Sequence, residues 1–119
     1  MWNGRCLTRD MVRLTVTFTA GSTRRAQGLL EALRFLMSGT RFEPGCQTCS
    51  AWAEQDATVH YVEQWANEAD LRRRVASPAF TSLLNLMESA DEAPRVQFDF
   101  VTETRGLDYV AEVRHDRAH

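Results

Sequence analysis

The spacing of apolar and polar residues changes several times along this 119-residue chain, and each change marks an element. From Met11 to Thr19 the two kinds alternate, with Val12, Leu14, Val16 and Phe18 on one side and Arg13, Thr15 and Thr17 on the other. Period two predicts a half-buried strand. Ala20-Gly21-Ser22 ends it, and Ser22 is the expected N-cap of an amphipathic helix. That helix carries Ala26, Leu29, Leu30, Leu33, Leu36 and Met37 at helical spacing and runs out near Gly39. Glu43-Pro44-Gly45 then turns the chain. Two strand-like runs follow, Cys46 to Glu54 and Ala57 to Trp65, and Gln55-Asp56 between them predicts a tight hairpin. Asn67 is placed to cap a short helix with Leu71 and Val75. Ser77-Pro78 opens another, with Ser as cap, Pro in the first turn and an apolar face of Phe80, Leu83, Leu84 and Met87. Beyond Pro94, Val96, Phe98 and Phe100 alternate with Gln97, Asp99 and Val101, which predicts a fourth strand. The weaker alternation from Leu107 to Val113 suggests a short extra strand in the tail.

The order strand, helix, strand, strand, broken helix, strand gives an α+β fold of βαββαβ type, with helices on one face of a four-stranded antiparallel sheet. It divides the chain into an N-terminal arm (1–10), one domain (11–105) and a C-terminal arm and tail (106–119).

Composition narrows the chemistry. The chain is 44% hydrophobic and 25% charged, with a net charge of −2, so no large field favours nucleic acid or an anionic membrane. All 14 basic residues are arginine, which excludes a lysine Schiff base and a lysine phosphate loop. No run approaches the ~20 apolar residues of a membrane span. The first residues lack the apolar core of a signal peptide. Three cysteines, an odd number, fit a reducing cytoplasm better than a disulfide framework. Cys46-x-x-Cys49 has redox or zinc spacing. On a regular strand, however, residues three apart face opposite ways with Cα atoms about 10 Å apart, and no second cysteine pair completes a zinc site.

With Gln55-Asp56 as the whole loop, Trp52 opposes Val59, Ser50 opposes Tyr61, Thr48 opposes Glu63 and Cys46 opposes Trp65. One sheet face, placed under the helices, then has a polar centre of Thr48, Ser50 and Glu63 ringed by Trp52, Tyr61 and Trp65. A carboxylate in such a layer needs a partner, and Arg74, on the inner side of its helix, is the expected one. Two readings stand side by side: a site organised by Glu63, or an ion pair with aromatic core around it. A one-residue slip would scatter the cluster. His60 falls on the opposite face.

Arg41-Phe42-Glu43-Pro44-Gly45-Cys46, Val62-Glu63-Gln64-Trp65 and Ser77-Pro78-Ala79-Phe80 together resemble the antibiotic biosynthesis monooxygenase family, over about Met11 to Arg114. The resemblance implies a ferredoxin-like domain in a dimeric α/β barrel. It also implies a homodimer with sheets face to face and a C-terminal arm reaching the partner. The implied reaction is oxidation of a phenolic, quinol or polyketide-like aromatic by molecular oxygen without flavin, haem or metal. Trp65, Glu63 and Arg74 are then the expected catalytic residues, and Tyr61, Trp52, Ser50, Thr48 and Phe80 the expected substrate contacts. Many members carry a His about nine residues after the motif Trp, where this chain has Arg74, a group that holds an anion but cannot act as a base at neutral pH. A haem-degrading branch uses a helix His, which Pro78 to Met87 lacks. A non-catalytic, ligand-binding or regulatory dimeric domain is the other alternative.

Overall fold

A computed structural model describes residues 11–101 and 106–118. Four strands, β1 (Val12–Thr19), β2 (Cys46–Ala53), β3 (Thr58–Trp65) and β4 (Arg95–Phe100), form one sheet in the order β2-β3-β1-β4. Every neighbouring pair is antiparallel. Helices α1 (Thr23–Thr40), α2 (Glu68–Ala76) and α3 (Phe80–Glu88) connect them, and α4 (Leu107–Ala118) follows β4. This is the βαββαβ ferredoxin-like arrangement that the periodicity predicts.

The core lies between the helices and the face carrying Val12, Leu14, Val16 and Phe18 of β1, all buried, with Leu30, Leu33, Met37 and Leu83 against them. Burial of a large aliphatic side chain contributes roughly 1.5–3 kcal/mol, so this stripe of β1 and the facing helix residues carry much of the stability. Ser22 caps α1 by accepting from the Arg25 amide, and Asn67 caps α2 by accepting from the Asp70 amide. Ser77 departs from its expected role. Its hydroxyl donates back to the Arg74 carbonyl and closes α2, so α3 begins only at Phe80, after a turn through Pro78 and Ala79. The tail also differs: Leu107–Ala118 is helical rather than extended. A helix forms its backbone hydrogen bonds within itself and needs no sheet edge, and weak alternation alone does not fix a strand.

The hairpin decides the composition of each sheet face. The loop is Gln55-Asp56-Ala57, three residues rather than two, with Ala57 in the left-handed region at φ 68°. The Glu54 amide donates to the Thr58 carbonyl at 2.8 Å, and the Ala57 amide donates to the Glu54 carbonyl at 3.0 Å. Type I turns followed by a left-handed residue are a common three-residue hairpin connection. The extra loop residue moves β2 by one position, so Trp52 pairs with His60, Ser50 with Val62 and Thr48 with Gln64. A bulge at Gln47 then restores Cys46 opposite Trp65.

Candidate active site

The buried polar group under the helices is built on three consecutive inward positions of β3. Tyr61, Glu63 and Trp65 point the same way because side chains alternate with period two, and all three are buried. Glu63 is 0% exposed, and the α2 residue facing it, Arg74, is 2% exposed. Arg74 donates from Nη2 to Glu63 Oε2 at 2.7 Å and from Nε to Oε1 at 3.2 Å. Trp65 Nε1 donates to Oε1 at 2.9 Å, and the Tyr61 hydroxyl donates to Oε2. The Cys49 thiol, at 3.5 Å from the Tyr61 hydroxyl, adds one more donor to the chain. An ionised carboxylate has about four acceptor positions. Those of Glu63 are filled.

Electrostatics fixes the protonation of its neighbours. Burial, and then the Glu63 charge, push the Tyr61 hydroxyl far above the ordinary tyrosine range, so it remains a neutral donor. Burial raises the Cys49 thiol to about 11. Burial works against the Arg74 charge, but the hydrogen bonds and charge of Glu63 outweigh it and hold the guanidinium more firmly protonated than usual. Arg74 also lies over the Phe80 ring, 5.1 Å from its centroid, and its Nη1 reaches Glu43 at 3.5 Å. Gly45 joins the start of β2 to this helix: its φ is +87°, and a side chain there would collide with Asp70.

Of the residues expected in the site, the structure brings together Trp65, Glu63, Arg74, Tyr61 and Phe80. It does not bring Trp52, Ser50 and Thr48 there. The three-residue loop puts them on the opposite face, where Trp52 is 44% exposed and stacks on His60 with ring centroids 5.1 Å apart. Cys49 and Ala51 take their inward places. His60 does lie on that opposite face, with Nε2 at 3.2 Å from Glu54. The bulge also brings Cys46 and Cys49 onto one face, contrary to the regular-strand expectation, with Cys46 pressed on Val12, Trp65 and Leu71.

Sequence reading missed the accessible part of the site. Beside the sealed group, α2 and β4 border an open apolar groove of about 700 Å³ lined by Leu71, Val75, Ala76, Phe98 and Phe100, with Arg72 and Arg73 also contributing. Phe98 and Phe100 share the inward face of β1's core residues through the pairs Leu14–Phe98 and Val12–Phe100. They nevertheless remain 42% and 55% exposed. Leu71 connects the two regions, since it packs on Trp65 from one side and lines the groove on the other. Aromatic residues on an inward strand face that no helix stripe covers were the available signal. Among the described residues, no three His, Cys, Asp or Glu side chains are grouped to hold a metal ion.

A ferredoxin-like α+β domain with a sealed carboxylate–arginine pair beside an open aromatic groove is the class these features define. The sequence model of the antibiotic biosynthesis monooxygenase family matches residues 11–85, and the chain belongs to that family. No curated protein matches the chain. Among solved structures, it is similar to a conserved protein from Methanosarcina mazei, at 18% identity and TM-score 0.67, over 79% of this chain and 95% of that one. It is also similar to a Deinococcus radiodurans protein provisionally called an antibiotic biosynthesis monooxygenase, at 19% identity and TM-score 0.68, over 80% and 96% of the two chains. A Pseudomonas aeruginosa protein shares 24% identity at TM-score 0.60, over 82% and 98%. No described helix is long and apolar enough to cross a membrane.

Proposed function

We propose that the protein is a cofactor-independent monooxygenase that oxidises a phenolic or quinol-like aromatic with molecular oxygen. The observation that carries this reading is the apolar groove faced by Phe98 and Phe100, with Arg72 and Arg73 beside it, in a chain of the monooxygenase family. Apolar walls with a few polar groups suit an aromatic ligand, and Arg72 and Arg73, paired with Glu68 and Asp70, supply the polar rim. The phenolate passes one electron to oxygen, and the phenoxyl and superoxide combine at a ring carbon, forming a C–O bond. Loss of that carbon's proton with O–O cleavage yields the quinone carbonyl and hydroxide. The hydroxide neutralises the proton released when the phenol ionised. The sum is phenol plus O₂ to quinone plus water, and no external reductant is consumed.

In this scheme Glu63, Arg74, Trp65 and Tyr61 are positioning residues. Their hydrogen bonds fix Trp65, on which the groove-lining Leu71 packs, and all four side chains are buried behind that wall. The chain acts as a homodimer in this reading, its open sheet face meeting that of a second copy. Light scattering at micromolar concentration is expected to give twice 13.6 kDa. The functional test is oxygen uptake by dialysed, chelator-treated protein with hydroquinones, beside protein-free and Phe100→Ala controls. Uptake well above both supports the proposal. Uptake at the protein-free rate throughout sinks it. In that case the filled network favours a second reading, a domain that binds an apolar ligand in the groove without transforming it. Saturable quenching of tryptophan fluorescence by the same hydroquinones under nitrogen would identify it.

A further inference from the structure

A second cavity, of about 340 Å³, opens between the C-terminal end of α1 and the start of α3 and shares no lining residue with the apolar groove. Two charged side chains line it, Arg74 and Glu43, together with the hydroxyl residues Ser38 and Ser82 and the apolar Phe35 and Leu36. Arg74 brings the chemistry. A guanidinium carries five N–H bonds, and each of its two edges can take a carboxylate. Glu63 occupies the Nε–Nη2 edge, at 3.2 and 2.7 Å. The Nη1–Nη2 edge meets Glu43 through one contact of 3.5 Å, from Nη1 to Oε2, against about 2.7–2.9 Å for a well-formed charged pair. A side chain only 2% exposed thus has one edge filled and the other half used. Glu43 is held loosely in turn. It lies in the turn between α1 and β2, its side chain is 29% exposed, and its carboxylate can swing into water while Arg74 keeps Glu63 as counter-ion.

We propose that this cavity binds a small organic monocarboxylate, whose carboxylate replaces that of Glu43 on the Nη1–Nη2 edge of Arg74. Glu43 acts as an internal stand-in: it shows that the position accepts a carboxylate, yet as a tethered side chain it reaches a single nitrogen. A free carboxylate reaches both, the bidentate geometry that arginine favours. The exchange swaps one anion for another, so the charge around Arg74 is unchanged. A second negative group on the ligand would lie near Glu63 and the displaced Glu43, which selects monocarboxylates over dicarboxylates and phosphates. Phe35, 79% exposed, and Leu36 offer an apolar surface to a flat organic body. The site is distinct from the groove and does not rest on the oxygenase reading.

The test is calorimetric titration with sodium benzoate at pH 7 and constant ionic strength, on the wild-type chain, Glu43→Ala and Ser82→Phe, with benzamide as the uncharged control. The expected result is saturable binding that tightens about tenfold in Glu43→Ala, because the competing carboxylate is gone. Benzamide should not saturate. Ser82→Phe, at an exposed helix position, puts a ring into the cavity and should weaken binding at least tenfold. Equal affinity in wild type and Glu43→Ala overturns the inference, as does absence of saturation in Glu43→Ala or benzamide binding as tightly as benzoate. Unchanged affinity in Ser82→Phe also overturns it, since benzoate then sits elsewhere, such as the α2–β4 groove. If Ser82→Phe lowers the urea midpoint, the Arg74 Nε–H resonance of Glu43→Ala decides instead: it should shift saturably with benzoate, and a resonance that stays in place overturns the proposal. Oxygen uptake enters none of these readouts, so the oxygenase reading stands or falls by its own test.

Discussion

Two halves of the same inward sheet face behave differently. On β3, Tyr61, Glu63 and Trp65 are covered by the helices, locked by hydrogen bonds and closed to solvent. On β4, two strands away, Val96, Phe98 and Phe100 point in the same direction and are each more than two-fifths exposed. The polar side chains are sealed and the apolar ones are open, the reverse of what transfer energies alone would arrange. A buried charge pair is weak evidence for stability, because an apolar replacement of similar volume often serves as well. The sealed half is therefore read as a device for fixing geometry, and the open half as the surface that meets a ligand.

Variants can break this division, and the largest effect is expected in the sealed half. Glu63→Ala leaves Arg74 buried without its carboxylate partner and two further donors, Tyr61 and Trp65, without their acceptor, which should cost about 3–5 kcal/mol of unfolding free energy by urea titration. Glu63→Leu with Arg74→Met removes both charges at once and should cost clearly less than Glu63→Ala. Equal costs would mean that the pairing itself is not what the region depends on.

Alkaline pH attacks the same half. The folded chain holds the Cys49 proton up to about 11, above the value of about 9.0 for a free thiol, so above pH 9 the unfolded chain releases a proton that the folded chain keeps. Its contribution is thus fully present below pH 9 and is lost as pH rises to about 11, up to roughly 3 kcal/mol. Cys49→Ala should flatten that limb of the stability curve, although Tyr61 adds to it in the same direction. Next comes Tyr61→Phe, which removes one hydrogen bond to the carboxylate and should cost about 1.5–3 kcal/mol, with little change in KM.

The open half should respond in function rather than in stability. Phe100→Ala is expected to lower kcat/KM for oxygen uptake about tenfold, or ~1.4 kcal/mol, while the urea midpoint stays close to wild type. A stability loss as large as that of Tyr61→Phe would show that Phe100 is core. The smallest stability effect should come from Trp52→Ala on the opposite face, where what is lost is a half-exposed stack on His60. Its informative readout is the mass in light scattering, since the proposed dimer forms on that face.

Much of this was legible in the chain. Period-two runs place β1 and β3, helical spacing places α1, and Ser22 and Asn67 cap the helices they precede, because these signals act over a few residues. The Glu63–Arg74 pair was also readable: a carboxylate at an inward strand position and an arginine one residue from the apolar stripe of α2 have few other ways to satisfy each other. The resemblance in Val62-Glu63-Gln64-Trp65 and Ser77-Pro78-Ala79-Phe80 pointed to the family that the match over residues 11–85 establishes.

Tertiary structure decided the rest. Whether Gln55-Asp56 or Gln55-Asp56-Ala57 forms the loop depends on one alanine accepting a left-handed conformation, a choice worth about 1–2 kcal/mol against it locally. Pairing along the whole hairpin outweighs that cost, and in doing so sends Trp52, Ser50 and Thr48 outward and Cys49 inward. The bulge at Gln47 re-aims Cys46 by the same non-local logic. The groove escaped sequence reading because Phe98 and Phe100 alternate like core residues, and only the placement of α2 and α3 leaves them about half exposed. Local periodicity thus determines which residues share a face of an element. Which element then covers that face depends on register and packing between segments far apart in the chain.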